Sequence, residues 1–87
     1  MTETECWLVE RSYNDRDLVT LVYATPDGER AHTKEIPMTA IAHGNVSVTA
    51  AKQVDESDLE PVDDETQPRY REEVERVRED YAPGEEI

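Results

Sequence analysis

Residues 17–28 read Asp17-Leu18-Val19-Thr20-Leu21-Val22-Tyr23-Ala24-Thr25-Pro26-Asp27-Gly28, and this stretch decides the fold. In an extended chain Leu18, Val22 and Ala24 fall on one side, and Val19, Leu21 and Tyr23 on the other. A strand that is apolar on both sides is normally covered on both. Pro26 pre-sets φ for the first turn position, Asp27 suits the next, and Gly28 accepts the left-handed position of a bulged hairpin. The strand over 17–25 therefore turns back, and residues 29–36 return antiparallel to it. Pro37 cannot donate to a ladder and ends the return strand.

Toward the N-terminus, residues 6–13 form a strand rich in β-formers, and strict alternation puts Trp7, Val9, Arg11 and Tyr13 on one face. Asn14-Asp15 supplies the turn into the second strand. Toward the C-terminus, residues 38–42 fit one helical turn, with Met38 and Ile41 in phase and Gly44 as a stop, and fit an extended chain nearly as well. Residues 45–54 read as a fourth strand, with Val46, Val48 and Ala50 alternating against Asn45, Ser47 and Thr49. Residues 55–67 are an acidic, proline-interrupted connector whose anchors are Leu59 and Val62. Pro68 then opens a helix over 68–82, with Tyr70, Val74, Val77 and Tyr81 on a single narrow stripe.

The order predicts an α+β domain: an antiparallel sheet of about four strands over 1–54, the connector over 55–67, and a C-terminal amphipathic helix packed across one face. One helix covers one face only. A lone chain is then expected to leave Trp7 or Leu8, with Leu21 or Val22, partly in water, unless the connector folds over them. The candidate interaction face is Trp7, Val9, Arg11, Tyr13, Leu21 and Tyr23, offered to a protein partner or to a second copy in a homodimer.

Composition narrows the function classes. The chain has 87 residues, with 22 acids against nine bases and a net charge of −13. Such a charge disfavours a general nucleic-acid binder, which needs basic side chains to displace phosphate counterions, and disfavours anionic lipid. The acidity is uneven: residues 1–54 carry −3 and residues 55–87 carry −10. Seven of the nine bases are Arg, Phe is absent, and Val is the commonest aliphatic. The longest mostly apolar run is too short to span a bilayer, and the acidic start Met1-Thr2-Glu3-Thr4-Glu5 is unlike a signal peptide, so a cytoplasmic location is expected.

No catalytic, metal or cofactor constellation is legible, and neither an enzyme nor a cofactor is expected. His32 and His43 have no ligand spacing to each other or to a thiol. Cys6 is flanked by Glu3, Glu5 and Glu10 and has no basic neighbour to activate it. The isolated Gly28, Gly44 and Gly84 make no phosphate loop, and the run from Asp55 departs from a calcium loop at Glu60, where a glycine is needed. Two alternatives stay open beside the interaction module. One is a small-ligand or enzyme pocket between sheet and connector, using His32, His43 or Tyr23. The other is a nucleic-acid role, either contact through aromatics and bases on the sheet (Trp7, Arg11, Tyr13, Tyr23, Arg30, His32, Lys34) or mimicry by the acidic third.

Three segments, Cys6-Trp7-Leu8-Val9-Glu10-Arg11, then Val22-Tyr23-Ala24-Thr25-Pro26-Asp27-Gly28-Glu29-Arg30, and the helix from Arg69 to Arg78, resemble small uncharacterised acidic proteins of haloarchaea. The resemblance covers most of the chain and implies no activity, substrate or site residue. It does imply a halophilic setting, in which molar salt shortens the Debye length to about 3 Å and screens the self-repulsion of so acidic a chain.

Overall fold

The computed structural model describes residues 2–13, 17–42 and 48–86. Its elements are β1 (Glu3–Tyr13), β2 (Leu18–Ala24), β3 (Arg30–Pro37), α1 (Met38–Ala42), β4 (Ala51–Asp55), a 3-10 turn (Glu56–Asp58), β5 (Glu60–Pro61) and α2 (Gln67–Asp80). The strands form one antiparallel sheet in the order β4-β1-β2-β3-β5. This is the expected α+β architecture with one strand more than expected. The addition, β5, is two residues inside the connector, pairing Pro61 with Arg30 and Glu60 with Ala31. Two residues carry no periodicity, and Pro61 is tolerated because β5 is an edge.

The turn at Asn14-Asp15, His43, Gly44 and the first residues of the expected fourth strand, 45–47, lie outside the described residues. Within them, residues 38–42 are helical and β4 begins at Ala51.

The β2–β3 hairpin forms as its turn chemistry requires. Gly28 has φ +73, and its N–H donates to the Thr25 carbonyl at 2.8 Å. The Asp27 carboxylate accepts from the Thr25 hydroxyl and the Glu29 N–H. The turn also touches α2: a Cβ on Gly28 would stand 2.5 Å from the Gln67 carbonyl oxygen and 3.0 Å from the Arg71 nitrogen. Glycine is thus required twice, for its backbone angle and for this close approach.

Two apolar layers sandwich the sheet. On the α2 side, Trp7, Val22, Ala24, Ala31, Ala51, Tyr70 and Val74 are buried together, with Val9, Val62, Val77 and Tyr81 packed around them. The helix stripe is the expected one, with its deepest burial at Tyr70 and Val74 and half-burial at Val77 and Tyr81. On the other side, Cys6, Leu8, Val19, Leu21, Tyr23, Ile36, Val48 and Val54 form a second core, against which Ala40, Ile41 and Leu59 pack.

The second layer corrects an expectation. Trp7, Leu8, Leu21 and Val22 are only 4%, 6%, 1% and 6% exposed within a single chain. α1, Val48 and Leu59 close the face that α2 leaves open. Of the two connector anchors, Leu59 joins this far layer and Val62 the α2 layer, so the connector passes the sheet edge between them.

Candidate interaction face

A β-bulge in β1 decides which side chains share a surface. Leu8 pairs with Tyr23 and the next pair is Glu10 with Val22, which leaves Val9 as the extra residue. A bulge puts two residues opposite one and resets the alternation beyond it. Trp7 and Val9 therefore pack on the α2 side, and Glu10 follows them, its carboxylate accepting from Arg69 Nη2 at 3.4 Å and from the Tyr70 hydroxyl at 3.3 Å. Arg11, opposite Leu21, and Tyr13, opposite Val19, turn to the far face.

The six residues expected to form one face are thus divided. Trp7 lies under α2, with the Arg78 guanidinium 5.7 Å from its ring centre, and its buried Nε1 has no hydrogen-bond partner among the described residues. Val9 packs beside it. Leu21 and Tyr23 belong to the far core, and the Tyr23 hydroxyl donates to the Thr49 carbonyl at 3.2 Å. Burial pushes the Tyr23 phenol pKa up. Only Arg11 and Tyr13 are exposed, and they share the far face.

Tyr13, 61% exposed, has one large exposed apolar companion among the described residues, Met38 at 41%. Register places the two at one end of the sheet: Tyr13 pairs with Val19, Val19 with Ile36, Leu18 with Pro37, and Met38 follows. Arg11 stands one step in from Tyr13 on the same face, opposite Leu21, whose other neighbour is Lys34. This end therefore presents a tyrosine, a methionine and an arginine from a rigid sheet and a short helix. The near-regular alternation of β1 hid this grouping, because no residue in Leu8-Val9-Glu10 announces a bulge.

At the opposite edge a shallow recess of about 330 Å³ lies between sheet and connector, lined by His32, Thr33, Ser57, Asp58 and Glu60. His32 Nδ1–H donates to the Asp58 carbonyl at 3.3 Å. The Ser57 hydroxyl donates away from it, to the Asp55 carboxylate at 2.9 Å. The recess thus holds an imidazole and two carboxylates without pairing the hydroxyl to the imidazole. Tyr23 does not line it, and His43 lies outside the described residues. Cys6 is fully buried, and burial raises its thiol pKa, with the Arg30 charge opposing. No three or more His, Cys, Asp or Glu side chains converge as a metal site among the described residues. Among the described residues no helix is long and apolar enough to cross a membrane.

A model of a family of unknown function, DUF7967, matches residues 1–87. The chain belongs to DUF7967. No curated protein and no solved structure matches this DUF7967 chain.

Proposed function

We propose that this DUF7967 protein is a small, non-enzymatic interaction module of a halophilic cytoplasm. It docks a protein partner, a second copy of the chain included, through the end of the far face formed by Arg11, Tyr13 and Met38. The observation that carries this reading is the shared placement of Tyr13 and Met38, the large apolar side chains most open to water among the described residues, at the end of the sheet that also carries Arg11. Tyr, Met and Arg are the types enriched at protein interfaces, and Tyr and Arg supply most of the anchoring energy there. With Leu8 and Leu21 already covered within the chain, the interface is centred on this end of the sheet and not on its middle. The halophilic setting is supported by the −13 charge and by a basic complement of seven Arg and two Lys.

Light scattering at molar KCl on the wild type and on Tyr13→Glu tests the second-copy form. A concentration-dependent mass above 10.0 kDa that Tyr13→Glu abolishes supports a dimer. A strict monomer at high concentration excludes the second copy and leaves a different protein as the partner.

A further inference from the structure

The charged side chains of β1 to β4 sort by sign. Alternation and register put Glu3, Glu5, Glu10, Glu35 and Asp55 on the α2 side of the sheet. Arg11, Arg30, Lys34 and Lys52 all fall on the far face, where the His32 ring also lies. In a chain with 22 acids, residues 30–54 contain one carboxylate, Glu35, against three bases. The far face thus carries no carboxylate from β1 to β4, and Asp58 and Glu60 of the connector approach its edge, in the recess beside His32.

Within that face the two lysines stand apart from the arginines. Arg30 has Asp27 nearby, whose carboxyl its charge helps to hold below the usual range, after the hydrogen bonds from Thr25 and Glu29. Arg11 sits toward the Tyr13 end. Lys52 extends from β4 across to β2, where its Nζ lies 5.4 Å from the centre of the Tyr23 ring. Tyr23 pairs with His32, and Lys34 is two residues further along the same face of β3. The ion pairs among the described residues are Arg69–Glu10 and Arg76–Glu73, so neither lysine has a carboxylate partner there. Burial first, and then the neighbouring Lys34 ammonium, lower the Lys52 pKa. Lys34 is exposed and Lys52 is half-buried, and two ammoniums brought together without a counter-charge repel each other unless an anion joins them.

We propose that the far face binds a phosphate-bearing anion between the Lys34 and Lys52 ammoniums, with the Tyr23 ring beneath Lys52 and His32 at the margin. A phosphate group presents several charged oxygens and can accept from both ammoniums at once, by short charge-assisted hydrogen bonds. The ligand is either a small phosphate compound or the phosphodiester backbone of a single strand, since both offer the same oxygens. The site shares its face with the proposed docking surface but rests on different side chains, so a Tyr13 variant leaves it intact and the two can fail separately.

The test is a pair of NMR titrations on the full chain, labelled at lysine side chains, at two KCl concentrations. One titration uses pyrophosphate and the other a short single-stranded oligonucleotide. Saturable shifts of both lysines, a rise in the Lys52 pKa on binding, and weakening as KCl increases are expected with at least one of them. The one that saturates at lower concentration names the source of the phosphate. Lys34→Met with Lys52→Met, which keeps the apolar stems, should weaken binding at least tenfold with the melting temperature little changed. Arg at both positions should retain binding, and Arg76→Gln on α2 should bind as the wild type does. Absence of saturable shifts with both probes, or equal affinity in the double Met variant, overturns the proposal.

Discussion

Truncating Val74 to alanine should cost this domain more than truncating Val77, although both lie on the same stripe of α2. Val74 is 0% exposed among Trp7, Val22, Ala24 and Tyr70, whereas Val77 is half-buried at the margin of that cluster. Removing two methyl groups forfeits about 1.6 kcal/mol of transfer free energy at about 0.8 kcal/mol per buried group. The cavity left behind adds to this, because the sheet and the helix backbone relax only in part, for a total of about 2–3 kcal/mol at Val74. At Val77 water already reaches the side chain and can follow the truncation, so about 1 kcal/mol is expected. For a domain of this size about 1 kcal/mol shifts the melting temperature by roughly 4–8 °C, which puts Val74→Ala about 10–20 °C below the wild type and Val77→Ala less than half as far. Thermal melts followed by far-UV circular dichroism in molar KCl read both. Equal losses, or a larger loss at Val77, would show that α2 is rotated on the sheet and would refute the packing described here.

Gly28→Ala should destabilise by more than about 2 kcal/mol, since φ +73 alone costs a Cβ about 1–2 kcal/mol and its clash with the Gln67 carbonyl adds to that; a melting temperature within a few degrees of the wild type would contradict the hairpin–helix contact. Stability should also fall in acid. Hydrogen bonds from Thr25 and Glu29 hold the Asp27 carboxyl below its ordinary 3.8, and the Thr66 hydroxyl does the same for Asp63. A depressed folded-state pKa gives stability that is present above the unfolded value and is lost as pH falls through the folded one. Melting temperatures should therefore hold through neutrality and decline below about pH 4, and Asp27→Asn should flatten part of that decline; an unchanged acid limb in the variant counts against it. Melts from dilute to molar KCl should rise with salt, and α2, in the segment carrying −10, should undock before the sheet melts. Equal melting temperatures throughout would remove the halophilic interpretation. Native Cys6, buried and with its pKa raised, should react with a thiol reagent only as fast as the chain opens; rapid stoichiometric labelling would place it at the surface.

The class of fold was legible because its signals are local and strong. Val19, Leu21 and Tyr23 alternate with Val22 and Ala24, Thr25-Pro26-Asp27-Gly28 fixes the hairpin, and Tyr70 to Tyr81 repeats at helical spacing. The candidate face was not legible for a different reason. One extra residue, Val9, reverses every side chain after it, so Arg11 and Tyr13 part company with Trp7. Alternation counted from Trp7 cannot detect this, because both registers leave β1 with a plausible apolar face. The closing of the far core was equally hidden. Ala40, Ile41 and Leu59 are short or isolated apolar residues in weakly patterned segments, and only the topology brings them over Leu21. Lys34 and Lys52 are 18 positions apart and on strands that are not neighbours. The one trace they leave in the sequence is the scarcity of acids between residues 30 and 54.

The docking claim is tested most directly by a photo-crosslinking residue placed at position 13 of the chain, expressed in its source cells, with the same residue at Arg76 on the exposed side of α2 as the reference. The expected result is one discrete adduct from position 13, either with a second copy or with a single other protein. Mass spectrometry should locate its attachment, it should be absent from position 76, and it should be lost on Arg11→Glu. No adduct from position 13, or the same adducts from both positions, would contradict an interaction surface at the Arg11, Tyr13 and Met38 end of the sheet.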